Sequence, residues 1–368
     1  MTVDRGEDPI ESWLASRASA GVTPGGTWWI EGPGVLSHGA AGHAALEPDP
    51  EPAAETTPYD LASLTKPLCT ALLAVLLEQD GRLSLDMPVA EVVDELDGCP
   101  YASASLLDLG SHHARLPAWR PLYLAAASLE GCLRAIASTP PIATGEATVY
   151  SDLGYIVLGA ALQRISGVSL DRAFRERIAA PLGLSGLGFV VGGSRLATAA
   201  PTERANAFER ERAGADGAGF PWRTGFLRGE VHDVNAHALG GVAGHAGLFG
   251  TAREVAAVAK EILDPKILGL QTRARERLLL PSRPGADRTF GFVLARASEA
   301  ARGVLPDHAP GHVGFTGTSL WLDPERGAIY VLLTNRVHPN VSPSPFQPER
   351  LAFHRLARAL GAPRSGSS

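Results

Sequence analysis

Strand-like patterning is confined to the two ends of this chain. Near the start, Thr27-Trp28-Trp29-Ile30-Glu31 and Val35-Leu36-Ser37-His38-Gly39 flank Gly32-Pro33-Gly34, the pattern of a β-hairpin. Late in the chain, residues 290–296, 313–323 and 328–334 read as further strands. Between the ends, apolar positions recur at helical spacing over 63–79, 122–138, 153–166 and 170–180, punctuated by Gly and Pro. The late strands need pairing partners, and the early hairpin supplies them. The expected fold is therefore α/β (α+β), with an antiparallel sheet built from both chain ends, flanked by helices, and an inserted helical lobe. At 368 residues a single catalytic domain is expected, with residues 20–80 and 235–362 forming the sheet lobe and 81–234 the helical lobe. Residues 363–368 read as a disordered tail, and a cleft is expected where the lobes meet.

Several segments add detail. Residues 45–58 read as an exposed loop, and 192–230 as a long surface excursion of weak periodicity. The stretch 239–250 is too rich in glycine for a regular element, and is expected to bring backbone close to a ligand or a neighbouring strand. Thr251 is expected to cap a helix over 253–263, and a last helix spans 349–360. The tryptophans 28, 29 and 321 read as core.

Composition narrows the function. A net charge of −6, with no basic run, argues against nucleic acid as a partner. No apolar stretch reaches the ~20 residues that span a bilayer, so no membrane partner is expected. Met1-Thr2-Val3-Asp4-Arg5-Gly6-Glu7-Asp8 lacks the features of a secretory signal, and the expected location is cytoplasmic. Cys69, Cys99 and Cys132 have no metal-like spacing.

The chain has three lysines, and one of them, Lys66, follows Ser63 by three residues in Ser63-Leu64-Thr65-Lys66. Residues three apart share a helix face, so Lys66 Nζ can reach Ser63 Oγ. A serine beside a lysine able to shed its proton is an activated nucleophile; a capping serine beside a solvated lysine is the plain alternative. Two clusters would have to meet Ser63. In Tyr150-Ser151-Asp152-Leu153-Gly154-Tyr155, the phenol of Tyr150 suits a proton shuttle. Asp152 could bond Lys66, hold substrate, or cap the following helix. In His312-Val313-Gly314-Phe315-Thr316-Gly317-Thr318, a strand edge can offer a backbone N–H to an oxyanion and pair with substrate. His112, His113, His232, His237 and His245 form no metal-binding spacing, so no metal and no cofactor is expected; His245 is the one expected at the cleft.

Ser63-x-x-Lys66, Tyr150-x-Asp152 and His312-x-Gly314, in that order, resemble the motifs of the serine β-lactamase and penicillin-binding-protein superfamily. The branch of class C β-lactamases, related esterases and D-amino-acid peptidases is the nearer one. The context also matches, in Asp80-Gly81-Arg82-Leu83-Ser84-Leu85-Asp86 and in Gly240-Gly241-Val242-Ala243-Gly244-His245-Ala246-Gly247-Leu248. The resemblance implies that Ser63 is the nucleophile, that Lys66 and Tyr150 are the base system, and that the backbone N–H groups of Ser63 and Phe315 form the oxyanion hole. It implies that Asp152, His312, Gly314 and His245 bind substrate.

Three positions depart from that pattern. Asp152 replaces asparagine and should stabilise charged Lys66, opposing its use as a base. His312 replaces a fixed cation by a group only partly charged at pH 7. Val313 removes a threonine hydroxyl. Together they favour a less anionic acyl substrate. The expectation is a serine hydrolase acting on a small-molecule ester, amide or peptide. A D-amino-acid amidase, D,D-peptidase or weak β-lactamase, or a binding module that kept the fold and lost the chemistry, are the alternatives.

Overall fold

The computed structural model describes residues 8–143 and 148–360. The tail expected at 363–368 lies outside them. The early hairpin forms as β1 (Gly25–Gly32) and β2 (Val35–Ala45), followed by the short β3 (Glu51–Pro52) in the expected loop. Three short strands, β4 (Tyr59–Asp60), β5 (Gly188–Phe189) and β6 (Leu248–Gly250), make a small sheet in the order β4-β6-β5. The late strands are β7 (Val293–Leu294), β8 (Pro310–Val313), β9 (Ser319–Asp323) and β10 (Ala328–Thr334).

The large sheet runs β3-β2-β1-β10-β9-β8-β7 and is antiparallel throughout. The two chain ends join where β1 pairs with β10, with Trp28 opposite Leu332 and Ile30 opposite Tyr330. Every residue of β10 is buried, as in a central strand covered on both faces. One face carries Leu320, Leu322, Ile329, Val331 and Leu333 into the main core with the helices. The other packs Trp28, Ile30, Trp321 and Leu332 against Ile10, Leu14 and Phe353.

Apart from the run 63–79, four expected elements differ in form. The run 313–323 is two strands, because Gly317 takes φ +116° and turns the chain back between β8 and β9. The run 290–296 keeps only β7, since Thr289 N–H donates to the Phe292 carbonyl and Phe292 N–H to Thr289 Oγ1, closing a local turn. Residues 122–138 divide into Leu122–Ala125 and Leu129–Ala137, where Ser128 caps the second helix by accepting from Gly131 N–H. The run 170–180 is α-helical over Leu170–Phe174 and widens to π-type turns over Arg175–Ala179. The expected helix at 349–360 forms over Gln347–Leu360, and Thr251 caps Ala252–Leu263 through a capping box with Glu254. A helix at Pro9–Ser19 escaped the sequence reading, although Asp8 before Pro9 is a helix-start signal, and Asp8 accepts from Ile10 N–H at 2.8 Å.

The last helix carries a titratable liability. His354 is fully buried, with Nδ1–H donating to the Ala300 carbonyl at 2.8 Å and Nε2 3.3 Å from Ser319 Oγ. Burial pushes its imidazole down from 6.5 to about 4. Once unfolded, the ring binds a proton near 6.5, so between these values the unfolded state holds more protons and stability falls as pH drops. At ~1.4 kcal/mol per pH unit, the loss approaches roughly 3 kcal/mol by pH 4. Urea unfolding should show this decline between pH 6.5 and 4, and His354→Gln should flatten it.

Candidate active site

Ser63 is set by strain and by one buried carboxylate. β4 ends at Asp60, whose Oδ1 accepts Ala62 N–H at 2.8 Å and whose Oδ2 accepts His232 N–H at 2.7 Å. These bonds hold Ala62 at φ +46°, a left-handed conformation unusual for a residue with a side chain. A 3₁₀ turn, Ala62–Leu64, then presents Ser63 half-buried. The expected helix over 63–79 is not regular. Lys66–Ala71 is a π-type turn and only Leu72–Gln79 is α-helical, consistent with Pro67 having no N–H to donate.

The three motif residues converge. Tyr150 Oη lies 2.7 Å from Ser63 Oγ, and Lys66 Nζ lies 3.0 Å from the same oxygen. Lys66 is fully buried, and Nζ also donates to Asp152 Oδ1 at 2.7 Å and to the His245 carbonyl at 3.1 Å. All three ammonium donors therefore have acceptors. Tyr150 and Asp152 sit at the start of the helix Asp152–Ser166, whose N-cap is Ser151; it accepts from Gly154 N–H, which frees Asp152 to face Lys66. Ser151 N–H in turn donates to His112 Nδ1 at 3.0 Å, placing that ring 4.7 Å from the Tyr150 ring.

The charge state follows from these contacts. Burial alone would lower the Lys66 pKa, but the Asp152 carboxylate and Tyr150 outweigh it and raise it above the ordinary lysine value. Burial raises the Tyr150 phenol, against the opposing pull of Lys66. These shifts leave an ammonium at Lys66 and a neutral phenol at Tyr150 at rest.

β8 forms one wall of a wide groove of about 620 Å³ that Ser63 also lines. β7 pairs only with Pro310 and Gly311, so His312 and Val313 face the groove without a strand beyond them. The expectation of a partly charged His312 is corrected. The ring is buried, Nδ1–H donates to the Val313 carbonyl at 2.9 Å, and burial beside Lys66 and Arg288 holds it well below the usual histidine value, hence neutral. Gly314 lines the groove with both backbone groups engaged internally, its N–H on the Thr318 carbonyl and its carbonyl on Arg350. Phe315, at the turn, has an amide N–H with no acceptor among the described residues.

The groove does not lack positive charge. Arg288, whose guanidinium lies 5.5 Å from the Tyr150 ring, and Arg336 line it, while buried Arg350 supports its floor. This changes the weight of the substitutions at 312 and 313, since the cation missing from β8 is supplied by arginines distant in sequence. Arg288 carries no local signal that could have singled it out.

On the other side of Ser63 lies a cavity of about 90 Å³. His245 borders it as expected, although its contact with Lys66 is through the backbone carbonyl. Its ring is fixed by Asp233, with Nε2 at 2.9 Å from Oδ1. Burial pushes the Asp233 carboxyl up, but His245 and the Ala236 N–H prevail and hold it below the usual carboxylate range. Within the stretch 239–250, Gly244 packs against the helix Asp152–Ser166, where a Cβ would fall 2.0 Å from the Tyr155 carbonyl. Leu248–Gly250 forms β6 between β4 and β5, a regular element where none was expected, and makes the expected close approach to neighbouring strands. His232 bonds Glu203 at 2.9 Å. Among the described residues no cluster of His, Cys, Asp or Glu is arranged to hold a metal ion.

An antiparallel sheet flanked by helices, with the SxxK serine in a groove beside β8, is the β-lactamase/transpeptidase-like fold. The family model described as Beta-lactamase matches residues 10–347, and the chain belongs to that family. A curated protein of Salmonella agona (strain SL483), named "Putative D-alanyl-D-alanine carboxypeptidase", is 29% identical over 92% of this chain and 85% of its own. Among solved structures, a class C beta lactamase from Rhodobacter sphaeroides superposes with a TM-score of 0.73 at 19% identity, covering 96% of this chain and 99% of that one. EstCE1, a hydrolase with promiscuous acyltransferase activity, gives 0.72 at 21% identity, covering 94% and 97%.

Proposed function

We propose that this chain is a serine hydrolase that works through an acyl-enzyme on a carboxylic ester or small amide. The observation that carries the reading is Ser63 Oγ, held between Tyr150 Oη at 2.7 Å and Lys66 Nζ at 3.0 Å. In the reactive form the Lys66–Tyr150 pair has lost one proton. Ser63 Oγ attacks the substrate carbonyl carbon and its proton passes to that pair. The leaving group departs with the proton, and the developing oxyanion faces the backbone N–H groups of Ser63 and Phe315. Water then attacks the ester carbon by the reverse route, and Ser63 regains its proton.

A second reading, cleavage of a peptide with a free carboxylate, is supported by Arg288 and Arg336 along the wide groove, where a carboxylate would find cations on the leaving-group side. A covalent adduct of labelled penicillin on Ser63, read by intact mass, would favour it over a plain esterase.

The test common to both is a fluorophosphonate probe. Stoichiometric labelling of the native protein is expected, together with turnover of p-nitrophenyl acetate, both abolished in Ser63→Ala. An inert serine in the folded protein would instead return the chain to the binding-module reading.

A further inference from the structure

The cavity of about 90 Å³ beside Ser63 is lined by four carboxyl groups, those of Asp60, Asp152, Glu209 and Asp233. Three of them have partners. Asp60 accepts two backbone N–H groups, Asp152 holds Lys66, and Asp233 holds His245. Glu209 does not. The residue is 5% exposed, Oε1 is buried without a partner, and no ion pair reaches it within 4.0 Å among the described residues. A carboxyl group buried in this way costs stability that a donor from outside the protein would restore. Its position is fixed by the helix Ala207–Ala213, within the stretch 192–230 whose sequence had offered no functional signal.

The remaining walls suit a cation. Phe208, Phe315 and Trp119 present aromatic surface around the carboxyls, the combination that stabilises ammonium groups. Among the described residues the one guanidinium lining the cavity, that of Arg212, lies over the Trp119 ring at 3.6 Å and makes no ion pair with Glu209 within 4.0 Å. One water needs roughly 10–15 Å³ of such space, so the cavity takes an amino group and a small side chain but no long acyl chain. Ser63 lines both this acidic cavity and the arginine-lined groove, so a substrate spanning the two would place its amine on one side of the reacting carbonyl and its leaving group on the other.

We propose that this cavity is an ammonium subsite, and that the acyl group transferred to Ser63 is a small aminoacyl group with a free α-amine, anchored by Glu209. The inference rests on the serine-hydrolase reading and specifies its substrate class. Burial and the neighbouring Asp233, Glu203 and Asp152 raise the Glu209 carboxyl to about 8, with Arg212 opposing. An entering ammonium supplies the missing counter-charge and favours the ionised carboxylate. An N-acyl cap would remove the charge and turn a carbonyl oxygen toward the acids, so capped substrates are disfavoured.

The test separates binding from turnover. In the Ser63→Ala protein, calorimetric titration with D- and L-alaninamide and with their N-acetyl derivatives should show at least one free amine binding tenfold or more tightly than its acetylated form. In Ser63→Ala/Glu209→Gln that gap should shrink at least fivefold. Ser63→Ala/Arg212→Met, altered at an exposed residue, should widen it, which keeps the proposal testable if the Glu209 variant folds poorly. Equal binding of amine and amide, or a gap that survives loss of Glu209, would overturn the proposal. Fluorophosphonate labelling of the native serine reports separately on the hydrolase reading, so the two can fail independently.

Discussion

Replacing Lys66 by methionine is expected to lower kcat/KM for an activated ester by about a thousandfold, the middle of the range for losing a general base. Lys66 is fully buried, 3.0 Å from Ser63 Oγ, and its substitution also strips Asp152 of its partner at 2.7 Å. The Asp152 side chain keeps 19% of its exposure, so the stability cost should stay near ~2 kcal/mol, below that of breaking a fully buried pair. Asp152→Asn separates the two effects. The carboxylate is the main group raising Lys66 against burial, so removing its charge lowers the pKa of the ammonium. The reactive, deprotonated pair is then populated at lower pH. The acid limb of the kcat/KM profile should move down in Asp152→Asn, whereas Lys66→Met should lose activity at every pH. A limb that stays in place in the asparagine variant would show that Lys66 is not the group titrating in the profile.

Asp60→Ala is expected to cost about 3 kcal/mol in urea unfolding and roughly a hundredfold in kcat/KM. Two buried backbone donors, Ala62 N–H and His232 N–H, lose their acceptor, and each such loss costs about 1–3 kcal/mol. The kinetic effect comes from position, since an ångström of displacement at a reacting atom can cost about two orders of magnitude. Ala62 keeps its φ of +46° because Asp60 over-determines it, and Ser63 is the next residue. Thr316 Oγ1 and Thr318 Oγ1 donate to the Asp60 and Leu61 carbonyls at 2.8 and 3.1 Å, so the same segment ties the nucleophile turn to the turn bearing Phe315. Full activity in a stably folded Asp60→Ala protein would dismiss this positioning role.

The elements that sequence alone located well are those whose period is long and whose caps are local. β10 matches the expected run 328–334 because its short, continuous apolar run is bounded by polar turn residues. Thr251 and Glu254 are three residues apart, so their capping box is a property of four residues and can be read from them. The reversal at Gly317 did carry a local signal, the two glycines of Gly314-Phe315-Thr316-Gly317, which the expectation of one strand over 313–323 passed over.

For the site, sequence determined which chemistry is available: a serine three residues before a lysine, a phenol, and a carboxylate where an amide is usual. Local spacing decides whether Ser63 and Lys66 share a face, and it is written in four residues. Only the tertiary structure decided that Tyr150, eighty-seven residues from Ser63, closes to 2.7 Å, and that Arg288 and Glu209 line the two pockets that meet at the nucleophile. Those placements depend on how β8, the 207–213 helix and the inserted helices pack, a sum of many contacts with no periodic trace along the chain. The electrostatic outcome is likewise tertiary: Asp152 and Tyr150 hold Lys66 as an ammonium against burial, and burial holds the His312 ring neutral.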